Sequence, residues 1–531
     1  MPSSSTRRAC TICRRRKVKC DGLPTCRNCQ AANAPCQYPP PRRRGPKPAK
    51  LLDNRPRQPL NTTSPAADQP REAKCLASPT VNVSSSSPVF DSSLVGGLSP
   101  SLLFEPPDIQ SQTVVRVHLE LLTGLSAASP PITAATIADQ CISLYTQYVF
   151  GAIPICHEAT LRAGVSRFFI PFPIVRNTDD DHAWALHSFA ADDEQERFKV
   201  LRNFTLLTAL CAVVSYAVPE TLLPSKQLTA QLFLRASRNM LAIYEDYDLE
   251  QPNSSSLSIR LLLSSAIQQA TGKNGLSINI LNQAGLLAMR MRLYDETSLE
   301  GKDPIEETIL RNAFWQLYVC DKTAMVMRNR PVMIHETLFE TAFTLKTHST
   351  SSVPLFDHIQ GLNGSEVENR LLEGFHVIRR LWTIAADVTQ AMKLKFSRSL
   401  TSHAVRENHG ESISKLSEAY LEMINLTNNF PVTADLPGES PIYSIQVGAQ
   451  HPSDILQRQR TTYLLTIHTI KIFLLNSAIQ CDMPQVMGLS AEPQVLAIRQ
   501  IELTQDFINT LKSVPFLHLQ AEGEHCYTET G

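Results

Sequence analysis

From about residue 113 onward, apolar side chains recur three and four positions apart, the spacing that lines one face of a helix. Val114, Val115, Val117, Leu119, Leu121 and Leu122 open one such face, and Ile137, Cys141, Leu144, Tyr145 and Tyr148 form the next. The same period predicts helices at about 199–217, 226–246, 257–271, 277–292, 304–328, 366–395, 411–429, 454–479 and 494–512. No run alternates strongly enough for a strand, and there is neither a fixed-period repeat nor a sustained heptad. Residues 113–531 are therefore expected to form a large all-α domain of stacked helices.

Upstream the pattern fails. Between residues 48 and 112 Pro, Ser, Asn and Thr prevail, with too little apolar surface to offset chain entropy, which predicts a disordered linker. Within it Phe90-Asp91, Leu102-Leu103-Phe104-Glu105 and Asp108 mix bulky apolar groups with acids as disordered activation segments do, although a plain tether is the simpler reading.

Composition sharpens this division. The chain has 531 residues, 43% of them hydrophobic, enough for a small module plus a large one. Its formal net charge is zero, yet residues 1–50 hold thirteen Lys and Arg against Asp21 alone, leaving 37 basic and 49 acidic residues downstream. That split puts an electrostatic footprint for a polyanion at one end. No apolar leader opens the chain, and the longest apolar stretch, Leu206 to Ala217, is too short to cross a bilayer, so no membrane partner is expected. In the reducing compartment this implies, the thirteen cysteines are expected as thiols or metal ligands.

Six of them fall at Cys10, Cys13, Cys20, Cys26, Cys29 and Cys36, so that C-x2-C-x6-C occurs twice around a centre near Gly22. Each C-x2-C turn can set two thiolates on one metal, with the third cysteine returning at the end of a short helix. Three sulfurs per half do not complete tetrahedral zinc, but six fill eight coordination places if one thiolate of each half bridges two ions. The alternatives are a knot of three disulfides, or one four-cysteine zinc site with two bystanders. Only the first half is charged: Arg14, Arg15, Arg16, Lys17, Val18 and Lys19 fill the gap that Gln30 to Pro35 fill in the second. If both gaps are short helices, the first faces DNA, its cations meeting guanine edges and phosphates, and the second supports it. The same run, with Arg42, Arg43, Arg44 and Lys47 of a basic exit arm, suits nuclear import.

With these spacings the head resembles the fungal zinc binuclear cluster family, the Zn2Cys6 transcription factors. The resemblance implies two zinc ions per chain, with Cys10 and Cys26 as bridging ligands: one zinc on Cys10, Cys13, Cys20 and Cys26, the other on Cys26, Cys29, Cys36 and Cys10. It implies base reading of a CGG-like triplet by Arg16 and Lys17, phosphate contacts from Arg14 and Lys19, and a loop-shaping role for Pro24. Cys20-Asp21-Gly22 is a common string of the family. The body resembles the family's middle homology domain over about 138–345, carried by Pro154-Ile155-Cys156-His157-Glu158, by Leu206 to Val214, by Ala288 to Leu293, by Arg311 to Asp321 and by Arg328-Asn329-Arg330-Pro331.

The domains expected are thus a zinc cluster with its arm over 1–47, a linker over 48–112 and an all-helical regulatory domain over 113–531. The function implied is a nuclear regulator of RNA polymerase II transcription that acts on promoter DNA with the transcription machinery. An activator of a metabolic or specialised-metabolite gene cluster is the leading reading; repression, or control of carbon-source catabolism, is the alternative. Catalysis finds no support: Thr271-Gly272-Lys273-Asn274 lacks both the earlier glycine and the Ser/Thr of a phosphate loop, and neither His157-Glu158 nor His335-Glu336 has a second histidine four positions after the first. Residues 50 to 90 carry no leucine heptads, so a homodimer would use the helix near Val114 to Leu122, or the protein binds as a monomer. Phe314, Trp315, Tyr318 and Asp321 are read as helix core, with the acid paired to a nearby arginine.

Overall fold

The computed structural model describes residues 10–16, 18–21, 23–38, 107–128, 131–171, 181–272, 274–328, 330–336, 339, 342–348, 353–356, 364–401, 409–428 and 452–521. The chain divides into two units, residues 1–96 and 97–531. In the first, two five-residue helices, α1 (Thr11–Arg15) and α2 (Arg27–Ala31), surround a small core of cysteines.

The second unit is helical, with no strand among the described residues. In chain order it contains α3 (Pro107–Ser126), α4 (Ala134–Leu144) extended by a π turn at Tyr145–Val149, α5 (Glu158–Phe169), α6 (Asp181–Ser188), α7 (Glu194–Ala217), α8 (Lys226–Glu250), α9 (Ser254–Thr271), α10 (Asn274–Arg290), α11 (Pro304–Arg328), α12 (Gly364–Thr401), α13 (His409–Asn428), α14 (Pro452–Gln480), α15 (Pro493–Ser513) and α16 (Phe516–Ala521). Each helix expected from the apolar period is present, and local capping chemistry explains where the ends differ. Helix α7 starts at Glu194 because the Asp193 carboxylate accepts the Glu196 N–H at 2.7 Å, with Glu194 and Glu196 in the first turn. Helix α9 starts at Ser254 because Asn253 and Ser256 form a reciprocal capping box.

Other elements depart from expectation. Helix α3 begins at Pro107, a residue suited to a first helical position, so 107–112 are helical where linker was expected; 48–106, with Phe90-Asp91 and Leu102 to Glu105, lie outside the described residues. Helix α5 was not anticipated: Leu161, Val165, Phe168 and Phe169 make its buried face, but arginines and Gly164 dilute the apolar period. Gly272 adopts φ 60° as the C-cap of α9, so the Thr271-Gly272 string ends a helix.

Among the described residues the apolar side chains of this unit form two cores. The first is built by α3 to α5 and α7 to α11 and takes in Val367, Leu371 and Phe375 of α12 with Ile455 and Leu456 of α14. The second gathers Met325 and Val326 of α11, Ile378 to Met392 of α12, Tyr420 and Met423 of α13, and Tyr463 to Ala478 of α14. Gln459 marks the crossing, its amide donating to the carbonyl oxygens of Gly151 at 3.0 Å and Leu371 at 2.6 Å.

Two expectations change with this packing. Val114, Val117 and Leu121 of α3 are buried in the first core, so the face considered for pairing with a second chain is used within the body itself. The apolar stretch ending at Ala217 extends back to Glu194, so α7, like residues 455–480 of α14, is long and apolar enough to cross a membrane; 89% of its apolar window is buried inside the fold, as in a core helix.

Phe314, Trp315 and Tyr318 are core residues, as expected. The Asp321 carboxylate accepts the backbone N–H groups of Met333 at 3.0 Å and Ile334 at 2.9 Å, and so holds the chain that returns past the end of α11. Asn312 donates to the Pro154 carbonyl oxygen at 2.9 Å, so two strings that carry the family likeness touch in space.

Candidate zinc cluster and nucleic-acid interface

The cysteine spacing dictates the local geometry of the head. Cys10 is the N-cap of α1, its sulfur accepting the Cys13 N–H at 3.4 Å, and Cys26 caps α2 through the Cys29 N–H at 3.4 Å. A helical turn of three residues thus sets both sulfurs of each C-x2-C pair on one side. The chain then bends back, the Val18 N–H reaching the Cys13 carbonyl and the Ala34 N–H that of Cys29. This closure delivers the third sulfur of each half: Cys20 accepts the Cys10 N–H at 3.5 Å, and Cys36 the Cys26 N–H at 3.3 Å. Every one of these bonds occurs twice at a sixteen-residue offset, so the duplication in the sequence is a duplication in space.

All six sulfurs converge. Cys10, Cys13, Cys20 and Cys26 lie within 4.8 Å of one another, as do Cys10, Cys26, Cys29 and Cys36, and the two sets share Cys10 and Cys26. Cys10 stands 3.8 Å from Cys26 and 3.5 Å from Cys29, and Cys13 stands 3.5 Å from Cys26. Tetrahedral zinc with bonds of about 2.3 Å to sulfur requires edges of about 3.8 Å, so the donor set fits two such ions. The Cys13 N–H draws the Cys10 thiol down to about 6, while burial pushes Cys13 and Cys26 up and Cys29 up to about 12. Crowded sulfurs at the head's centre therefore ionise together only with cations among them.

The two halves are tied by groups that spacing alone did not single out. The Asp21 carboxylate accepts the Leu23 N–H at 3.2 Å and the Arg27 N–H at 3.0 Å, the latter bond chiefly holding it below the usual carboxylate range. Asn28 donates to the Lys19 carbonyl oxygen at 2.7 Å. Thr11 grips the Gln37 carbonyl oxygen through its N–H at 2.8 Å and its hydroxyl at 2.9 Å. Tyr38 donates to the Leu23 carbonyl oxygen at 2.7 Å. The only hint in the sequence was negative: Tyr38 falls where the repeat would place a partner for Gly22.

The basic run is placed differently from expectation. The helix is Thr11–Arg15 with Arg16 as its C-cap, not a helix from Arg14 to Lys19; it ends early because the chain must return to bring Cys20 to the cluster. Arg14, Arg15 and Arg16 are exposed on and just after its last turn, and Lys19 is exposed on the returning segment. Lys17, Arg42, Arg43, Arg44 and Lys47 lie outside the described residues.

With this geometry in hand the comparisons are informative. Residues 8–45 match the fungal Zn(2)-Cys(6) binuclear cluster domain, and residues 165–370 match the fungal specific transcription factor domain. The second match runs over α5 to the start of α12, beside the 138–345 expected from sequence, and thus covers much of the first core. A stretch of 31 residues is 58% identical to an uncharacterized transcriptional regulatory protein of Schizosaccharomyces pombe, covering 6% of this chain and only 4% of that protein. No solved structure matches the chain. The two matched domains are those of a fungal Zn2Cys6 transcription factor. The head binds two zinc ions.

Proposed function

We propose that this protein is a nuclear, sequence-specific regulator of RNA polymerase II transcription that activates a metabolic or specialised-metabolite gene cluster. The observation that carries the proposal is the pair of sulfur tetrads sharing Cys10 and Cys26, which fixes α1 so that Arg14, Arg15 and Arg16 stand exposed together. The zinc ligands are then Cys10, Cys13, Cys20, Cys26, Cys29 and Cys36, with Cys10 and Cys26 bridging. Arg16 and Lys17 read a CGG-like triplet in the major groove, and Arg14, Arg15 and Lys19 hold phosphates, with Arg42, Arg43, Arg44 and Lys47 following along the backbone. The helical body recruits the transcription machinery.

Zinc shapes the head and carries no chemistry of its own here. Held by the six cysteines, it would keep their thiolates in one cluster, and Cys10 and Cys13 would thereby fix α1 on the head. Replacing Lys17 by Ala is expected to cost about 1–3 kcal/mol on the cognate duplex and to relax selectivity at one base. Lys19→Ala is expected to weaken cognate and scrambled duplexes alike and to lower the salt dependence. Titrations of both variants on both duplexes check this, and equal losses for Lys17→Ala on the two would remove its reading role.

Genome-wide mapping of bound sites tests the proposal as a whole: recurrent CGG-like triplets upstream of co-regulated genes are expected, and a random distribution would overturn it. Tethering the full chain to a reporter through a foreign DNA-binding domain separates activation, which raises transcription, from repression, which lowers it.

A further inference from the structure

The head repeats itself at a sixteen-residue offset except where the chain leaves it. Cys10, Cys13 and Cys20 correspond to Cys26, Cys29 and Cys36, but the position matching Tyr38 is Gly22, which has no side chain. The Tyr38 hydroxyl stands 3.6 Å from the Cys20 sulfur while donating to the Leu23 carbonyl oxygen, and its ring packs on the cysteine core. Cys10, Cys13, Cys26 and Cys29 are at most 1% exposed, whereas Cys20 and Cys36 are only partly buried. Water and chelators therefore reach the cluster at these two outer sulfurs; both act on the Tyr38 hydroxyl, Cys20 the more strongly.

We infer that Tyr38 is a positioning residue for the zinc ion held through Cys13 and Cys20, making that ion slower to leave than the one held through Cys29 and Cys36. As a zinc-bound thiolate Cys20 has no proton to give, so the phenol is the donor between them, sharing its hydrogen with the Leu23 carbonyl. A hydrogen bond to a ligand sulfur keeps it oriented, and loss of such an outer partner weakens metal retention by roughly 10–100-fold. The inference rests on the six-cysteine ligand set proposed above.

The test uses the full chain loaded with two zinc ions and a coloured zinc chelator in excess. The unaltered protein is expected to release zinc in two phases of one ion each. Tyr38→Phe is expected to speed the slower phase about tenfold, leave the faster one unchanged, and shift the sulfur-to-metal absorption of the cobalt-substituted protein. Thr11→Val is the companion variant: it removes the other side-chain grip on the exit strand, on Gln37, without touching a sulfur, and is expected to change neither rate nor spectrum. Unchanged rates and spectrum in Tyr38→Phe would overturn the inference. So would equal acceleration in Thr11→Val, which would reduce Tyr38 to a strand anchor. A starting content below two zinc ions would instead count against the ligand set.

Discussion

Cys26→Ser is expected to release both zinc ions and abolish sequence-specific DNA binding, whereas Cys36→Ser leaves one ion bound. The difference follows from membership of the tetrads. Cys26 belongs to both, while Cys36 belongs only to the set with Cys10, Cys26 and Cys29. Cys26 is also the N-cap of α2, and its backbone N–H donates to Cys36; serine retains both bonds, so the variant reads out the sulfur as a metal ligand. Serine is a poor zinc ligand and can still accept the Cys29 N–H, so the substitution removes metal binding more than it removes the cap. Native mass spectrometry under reducing conditions counts the ions, and a gel-shift titration reads the DNA. If Cys26→Ser retained one ion as firmly as Cys36→Ser, Cys26 would not be shared. A small head whose core is made of ligands has little apolar burial to hold it once the metal is gone.

Asp248→Asn is expected to destabilise the body by about 3–5 kcal/mol while leaving the zinc content at two. Asp248 is fully buried between two arginines: Arg202 Nε approaches its Oδ1 at 2.6 Å, and Arg260 Nη1 bonds its Oδ2. Arg260 is 0% exposed, and Ser256, part of the box that caps α9, also donates to Asp248 at 2.7 Å. One carboxylate thus ties α7, α8 and α9 at the centre of the first core. Without it two guanidinium groups remain in a region that water does not reach, and an amide cannot supply the missing charge. Thermal unfolding followed by circular dichroism checks the prediction, with a fall in Tm of roughly 3–6 °C expected for a body of this size. A fall of less than about 2 °C would mean that the arginines find other partners, and that the ion pair is not what joins these helices.

The locations of the helices and the convergence of the six cysteines were legible because they depend on short-range spacing. A helix repeats every three to four residues whatever it packs against, so the apolar period located α7 to α15, with errors confined to ends set by caps such as Asp193 and Asn253. The duplicated cysteine spacing likewise carried the two-ion cluster, since a C-x2-C turn places its sulfurs by local geometry. Spacing could not tell where α1 ends. That end follows from the return of Cys20 to the Cys10 N–H, a closure across ten residues.

What lay beyond sequence was the choice of partners between distant segments. The buried His118 illustrates this: its Nε2–H donates to the Phe168 carbonyl oxygen at 2.8 Å inside a ring of Phe169, Trp184, Phe189 and Phe204, and burial lowers its pKa to about 4, yet its position in α3 signals none of this. Asp321 also takes the backbone N–H groups of Met333 and Ile334, which no spacing announced; Val114 and Leu121 serve the first core. By itself the sequence determined the all-α body and the two-metal head, because propensity, period and ligand spacing act within a few residues. Only the tertiary structure decided that one body has two cores, that Asp248 sits between two arginines, and that Tyr38 reaches Cys20. Each of those contacts depends on how helices far apart in the chain, or opposite strands of a small loop, come to lie side by side.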